Sequence, residues 1–271
     1  LKRAALVLNV SDRWPASAVE LGALRDRRAI ELAERLERWC YRHAAAIAVP
    51  TAGLEAALSA LPAAGGKVHR LGPAVDTALF CPAAPPPGGD RPLRVVYAGT
   101  VGLAQGLDTL VEAARIAGPE AVEVRVAGDG AEAPALRARL GRERAPNVRL
   151  LGTVPYERVP DLYGWADTAA VLLRDRPIFR GALPTKMLEA MARARPLVLS
   201  ARGEAAQLVE THGAGVVVAP EDPRALAEAL LELARDRARL AGMGAAARRC
   251  AERYDWAATA DRWHALLGAV Q

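Results

Sequence analysis

Residues 182–198, ALPTKMLEAMARARPLV, place a lysine and a glutamate one helical turn apart, directly behind a proline. The chain has three lysines, Lys2, Lys67 and Lys186, among 36 basic residues. Pro184 and Thr185 mark a helix start, with Thr185 able to cap it and Lys186 in the first turn. At i and i+3, Lys186 and Glu189 share one face of that helix. A first-turn lysine opposes the helix dipole, which favours anions at that end. An anion gripped by dipole and ammonium together would remove the conflict. A carboxylate one turn further in could then accept hydrogen bonds from a pair of hydroxyls. The plain alternative is an i,i+3 ion pair worth roughly a few tenths of a kcal/mol.

Two glycine turns offer a second set of candidates. In AGTVGLAQGLDTL, Gly99, Gly102 and Gly106 follow the apolar run LRVVYA and precede a helical segment. Glycines there let backbone N–H groups and the helix dipole face an anion. The spacing is not GxGxxG, so a tight turn that only lets helix and strand pack explains it equally well. In AGDG, Asp129 stands where dinucleotide-binding domains place their ribose contact, which keeps a nicotinamide-dependent oxidoreductase in view. Aspartate between two glycines is also favoured for backbone reasons alone, and the turn is the preferred reading. The sequence carries no DxD pair, GxxxxGK[ST], HExxH or GxSxG, and His43, His69, His212 and His264 lack ligand spacing, so neither metal nor cofactor is expected. Cys40, Cys81 and Cys250 fit no CxxC or Cys/His pattern and read as unpaired thiols in a reducing compartment.

The elements that must position these residues are those of an α/β protein. Strand runs at 4–10, 45–50, 93–98, 122–127, 148–151, 168–173, 196–200 and 215–219 alternate with Ala/Leu/Arg/Glu segments of helical period, the pattern of βα units on a parallel sheet. The longest helix, from about Asp26 to His43, carries Leu32, Leu36 and Trp39 on one face and Arg28, Arg35 and Arg42 on another. The apolar face is expected to flank a sheet, the arginines to be solvated or, as the minor alternative, drawn to anionic lipid. CPAAPPPGGDRP, residues 81–92, is too rich in proline and glycine for helix or central strand and reads as a linker. Residues 93–255 then form one doubly wound domain, and 1–80, with two strands and two helices, a partial one. A final helix at 256–271 is expected to return to the first domain. With 52% hydrophobic residues the chain can bury a full core, and its net charge of +5 is too interspersed for a nucleic-acid stripe. No run of about 18 apolar residues is present to span a bilayer, and no signal peptide is visible. The chain enters a core strand run almost at Leu1, which reads as an N-terminally incomplete protein.

Taken in order, NVSDRWPASAVELG, VDTALFCP, YAGTVGLAQGLDTLVEAA, VAGDG, LLGTVP, LPTKMLEAMARARPLV, GEAAQLVE and YDW resemble glycosyltransferase family 4, of GT-B architecture. The glycine loop GLAQGLD is most similar to the bacterial O-antigen and capsule branch that transfers aminosugars. The resemblance implies a retaining, metal-independent enzyme taking a uridine-linked nucleotide diphosphate sugar in its C-terminal domain. Glu189 matches the glutamate that holds the ribose hydroxyls, Gly102 the loop glycine at the diphosphate beside Gly99, and Gly152, Thr153 and Val154 the segment lining the base. Lys186, next to Thr185, is assigned to the diphosphate, with Arg180 as helper. The implied acceptor is a glycan or lipid-linked molecule, reached in the cytoplasm or at the inner face of its membrane by peripheral contact. Departures are Gly181 in place of the family's glutamate eight positions before Glu189, Thr100 and Gln105 in place of cations, and Ser11 in place of a histidine. The resemblance also implies further residues before Leu1 that build much of the acceptor side.

Overall fold

Two parallel sheets organise the chain, a small one near the N-terminus and a larger one after residue 92. The computed structural model describes residues 4–84, 86, 90–143 and 145–270. The small sheet has the order β1 (Val7–Asn9), β2 (Ala46–Val49), β3 (Val68–Arg70), linked by α1 (Ala16–Glu20), α2 (Arg27–His43) and α3 (Ala52–Ser59). This is one strand and one helix more than the sequence pattern gives. β3 is three residues long with two exposed side chains, His69 and Arg70, so it shows no apolar alternation, and only its pairing with β2 makes it a strand.

The larger sheet is built from β4 (Leu93–Ala98), β5 (Val122–Ala127), β6 (Val148–Gly152), β7 (Thr168–Leu172), β8 (Leu197–Ser200) and β9 (Gly215–Val218). Its helices are α4 (Asp108–Ala117), α5 (Ala133–Arg142), α6 (Val159–Trp165), α7 (Thr185–Ala192), α8 (Glu204–His212), α9 (Pro223–Arg235) and α10 (Arg237–Ala251), and α11 (Trp256–Ala269) ends the chain. The strand order β6-β5-β4-β7-β8-β9 reverses between β4 and β7, the switch point outside which open α/β sheets bind ligands. Every residue of β7 and β8 is buried, as strands covered on both faces require. Val96 and Ala98 of β4 enter one core with Met187, Leu188 and Met191 of α7. Val95 and Tyr97 enter the other with Leu110, Val111, Leu226 and Leu230.

The two parts touch through small residues and one carboxylate. Glu204 accepts hydrogen bonds from Ala52 N (3.1 Å) and Gly53 N (2.9 Å) at the start of α3. Gly53 lies against Gly181 so closely that a Cβ on it would sit 2.5 Å from the Gly181 Cα. Gly181, the position where the resemblance implies a glutamate, is thus a packing surface here. α11 lays Trp263 and Leu266 on Ala46 and Ala48 of the small sheet and on Leu71 just after β3. Of the linker at 81–92, residues 85 and 87–89 lie outside the described ones. Arg195, only 2% exposed, donates to the carbonyls of Ala83 (3.1 Å) and Ala84 (2.8 Å), so part of the linker is strapped to the larger domain.

One expectation about packing is reversed. α2 is capped by Asp26, which accepts from Ala29 N at 2.8 Å, but Leu32, Leu36 and Trp39 are 69%, 53% and 49% exposed. The helix buries Tyr41 in the small sheet's core instead, and Ala33 is its other buried residue. Both sides of α2 carry apolar residues, and periodicity reveals that faces exist without revealing which one meets the sheet.

Candidate functional site

Beyond the carboxyl ends of β4, β5 and β6 lies a cavity of about 290 Å³. Ala98, Gly99 and Thr100 line it from the turn after β4, Ala127 and Gly128 from the turn after β5, and Thr153 and Val154 from the turn after β6. Thr185, Lys186 and Glu189 close it from the first turns of α7, and Tyr156 and Val159 complete the wall. Three turns and one helix start, far apart in sequence, are brought together by the parallel order of the strands.

Lys186 lies directly on Gly99. A Cβ built on Gly99 would stand 2.8 Å from Lys186 Cε and 2.9 Å from Nζ, and Gly99 has φ +140°, a conformation L side chains rarely adopt. The ammonium stands 4.2 Å from the centre of the Tyr97 ring and donates to its hydroxyl. Tyr97 in turn donates to the Thr100 carbonyl at 2.5 Å, fixing the turn. Tyr163 donates to the Lys186 carbonyl at 3.1 Å. Burial pushes the Lys186 ammonium down to about 8, with the Glu189 charge opposing the shift.

Glu189 accepts a hydrogen bond from the Tyr156 hydroxyl at 3.3 Å. Burial raises its pKa, against the pull of that bond and of the nearby Lys186 charge. Tyr156 is pushed up to about 12, first by burial and then by Glu189. Lys186 and Glu189 make no ion pair with each other among the described residues. Each is held by a tyrosine, on adjoining walls of one cavity.

The remaining sequence candidates fall at different places. Thr185 is the first helical residue and exposed. Pro184 occupies the cap position, and no side chain caps the helix, so the capping role expected of Thr185 is not taken up. Gly102 lies outside the cavity, and its N–H donates to Gln105 Oε1 at 3.1 Å. Gln105 therefore occupies the amide assigned to a diphosphate. Arg180 is also outside, 58% exposed, with its guanidinium 4.0 Å from Asp175. Gly152 ends β6, and its carbonyl accepts from Gly128 N at 2.8 Å, next to the lining residues Thr153 and Val154. Asp129 is exposed and bonds the N–H of Gly130 at 2.8 Å, the turn role preferred for it. Gly128 and Gly130 let that turn press on the neighbouring one, since a Cβ on Gly128 would stand 1.8 Å from the Gly99 carbonyl oxygen.

A second cavity of about 500 Å³ runs between the two sheets. Asn9, Ser11, Asp12 and Thr51 line it from one side, Gln105 and Leu183 from the other. Thr185 lines both cavities, so they adjoin at the start of α7. Asp12 is positioned there by Ser17, whose hydroxyl donates to it at 2.7 Å. Among the described residues no group of three or more His, Cys, Asp or Glu side chains could hold a metal ion. Sequence reasoning missed the three tyrosines. The chain has five tyrosines, but the gathering of Tyr97, Tyr156 and Tyr163 around one lysine–glutamate pair is made by contacts 23 to 89 residues apart and left no local signal.

Residues 92–236 match the family model described as glycosyl transferases group 1. The chain belongs to this family. It is 30% identical over 72% of its length to a D-inositol 3-phosphate glycosyltransferase of Thermobispora bispora, covering 49% of that protein. It is 32% identical over 60% of its length to a GDP-mannose-dependent monoacylated alpha-(1-6)-phosphatidylinositol monomannoside mannosyltransferase of Corynebacterium glutamicum, covering 44% of it. The chain thus spans about half the length of the curated relatives it matches. Its fold is similar to that of sucrose-phosphate synthase from Thermosynechococcus elongatus, with TM-score 0.80 and 21% identity over 97% of this chain and 67% of that one. It is also similar to Anabaena HepE in complex with UDP and glucose, with TM-score 0.76 and 21% identity over 98% and 72%. The fold is therefore GT-B, and the cavity at α7 lies beside its larger sheet.

Proposed function

We propose that this chain carries the donor site of a retaining, metal-independent glycosyltransferase that uses a nucleotide diphosphate sugar, with uridine as the base. The observation that carries this reading is the Lys186 ammonium packed on Gly99 in a cavity shared with Glu189. In it, Lys186 and the uncapped start of α7 hold the diphosphate, Glu189 the ribose hydroxyls, and Thr153 and Val154 border the base. Stabilising the departing diphosphate is the main catalytic task, and one such preorganised donor is typically worth about 3–4 kcal/mol of barrier. Gly102 joins the site only if Gln105 releases its amide, and Arg180 only if it leaves Asp175.

The acceptor, a glycan or a lipid-linked molecule, enters the adjoining cavity between the sheets, where Asp12 offers a carboxylate. Transfer then takes place in the cytoplasm or at the inner face of its membrane. The uridine assignment draws on fold neighbours bound to UDP, whereas one relative is named for GDP-mannose. The aminosugar-transferring branch rests on the glycine loop GLAQGLD. A nicotinamide oxidoreductase is disfavoured, because Asp129 is spent on its own turn and lies outside the cavity.

Calorimetric titration of the chain with UDP, GDP and NADH tests the reading. UDP binding with negligible NADH binding is expected. Binding of NADH and not UDP overturns it, and preference for GDP overturns the uridine assignment alone. Binding without transfer from a UDP-sugar would define a donor-binding module.

A further inference from the structure

A cavity of about 540 Å³ lies beside α10 and shares no lining residue with the two cavities at the start of α7. Arg237, Ala241, Ala245 and Arg248 face it at i, i+4, i+8 and i+11, so one stripe of α10 sets two alanines between two arginines. The small side chains leave a groove between the two cations. Pro82 and Ala83 of the linker, and Pro196, add apolar wall. A third arginine comes from the turn after α7. Ala194, at φ +59°, ends that helix, and Arg195 N donates back to the Ala190 carbonyl at 2.9 Å.

Charge is out of balance here. Asp167 is the one carboxylate lining the cavity among the described residues, and it is already engaged. Arg91 holds both of its oxygens, at 2.7 and 2.9 Å, and Arg237 Nη1 donates to it at 3.3 Å. Arg195 gives its N–H groups to the carbonyls of Tyr163, Ala83, Ala84 and Gly164, and has no ion-pair partner among the described residues. Burial pulls it down to about 10, with the Arg193 charge adding to the shift and Asp167 opposing it. Arg248 pairs with Glu252 through Nε at 2.8 Å and gives Nη1 to the carbonyls of Thr77, Phe80 and Ala192. Its Nη2, like the Nε of Arg237, makes no hydrogen bond among the described residues. A desolvated cation without a counter-charge is costly, and an anion in this cavity would offset that cost.

Apolar walls with a few polar groups, in a volume within the range of about 300–1,000 Å³, describe a small-molecule site. A nucleotide would leave its hydroxyls unpaired against alanine and proline. A neutral hydrocarbon would leave the guanidinium groups unpaired. The chemistry that satisfies both is a compact hydrocarbon body bearing one anionic group.

We propose that this cavity binds a small hydrophobic carboxylate, its anionic group on Arg237 and Arg248 near Arg195 and its hydrocarbon body along Leu240, Ala241 and Ala245. None of these residues lines the donor cavity, so the proposal is independent of the donor-site reading.

The test is calorimetric titration of the chain with 2-naphthoate and with its neutral amide, 2-naphthamide. Naphthoate should bind, and the amide should bind at least about tenfold more weakly, because hydrogen bonds to a charged group are lost. Arg237→Gln and Arg248→Gln should each weaken naphthoate by about tenfold. Arg248 also braces the linker, so a third variant keeps the test free of folding effects. Ala241→Trp lays an indole over the groove from an exposed position, and should abolish binding while melting with the parent. Naphthoate should raise the melting temperature of the parent and leave that of Ala241→Trp unmoved. Lys186→Met should bind naphthoate as the parent does, which keeps the donor cavity out of the signal. Absence of binding, equal binding of acid and amide, or affinity unaltered by the arginine variants overturns the proposal. So does binding that survives Ala241→Trp or is lost in Lys186→Met.

Discussion

Replacing Lys186 by methionine should move stability and ligand binding in opposite directions. Methionine keeps the length of the stem that lies on Gly99 and removes the charge. Burial lowers the lysine from 10.5 to about 8, so keeping it charged in the folded chain has a cost. Over that interval the cost reaches a ceiling of about 3 kcal/mol well below pH 8, at roughly 1.4 kcal/mol per unit. The sign follows from proton counting. Between the folded and unfolded values the unfolded chain binds more protons, so stability rises with pH through that range. Lys186→Met should therefore melt higher than the parent near neutral pH, and the gap should close as pH approaches about 10. Tyr97 still donates to the Thr100 carbonyl in the variant, so no buried hydroxyl is left unpaired. At the same time, losing a charged hydrogen bond worth about 1.5–3 kcal/mol should weaken UDP binding by one to two orders of magnitude. Thermal melts at neutral and alkaline pH, paired with UDP calorimetry, read both effects. A variant that melts lower and binds UDP as well as the parent would make Lys186 a structural residue and refute the argument.

Glu189→Gln should weaken UDP binding by about tenfold, because an ionised acceptor for two hydroxyls is lost. Since burial raises the Glu189 pKa, the parent's affinity should fall on acidification above the range of an exposed carboxylate, and the variant should lack that limb. Calorimetry at neutral and mildly acid pH checks this, and an unchanged acid limb would contradict it. Gly53→Leu should push the two domains apart, because a Cβ already meets the Gly181 Cα at 2.5 Å. Its radius of gyration by X-ray scattering should rise while helicity is retained, and an unchanged radius would show that the contact yields without opening the cleft.

The larger domain was legible because its signals are local and redundant. LRVVYA and TAAVL are largely apolar runs that suit a sheet covered on both faces, VEVRVA alternates buried valines with Glu123 and Arg125, and LRVVYA and VEVRVA each run into a glycine, Gly99 and Gly128. Lys186 and Glu189 stood out for the same reason, as a lysine that local helix physics disfavours. β3 escaped notice because a three-residue edge strand is made by its neighbour's hydrogen bonds, not by its own side chains. The inward face of α2 was misjudged because two apolar faces are equivalent until a sheet chooses one.

The sequence by itself determined the alternation of strands and helices, the family, and which lysine and glutamate face one side of α7. Only the tertiary structure decided that Tyr97 and Tyr156 grip that pair separately, that Gln105 occupies the Gly102 amide, and that Arg180 lies outside the cavity with Asp175. The physical reason is range. Period and propensity act over one or two turns of chain, whereas Tyr97 and Lys186 are 89 residues apart and meet only because β4 and α7 share a core.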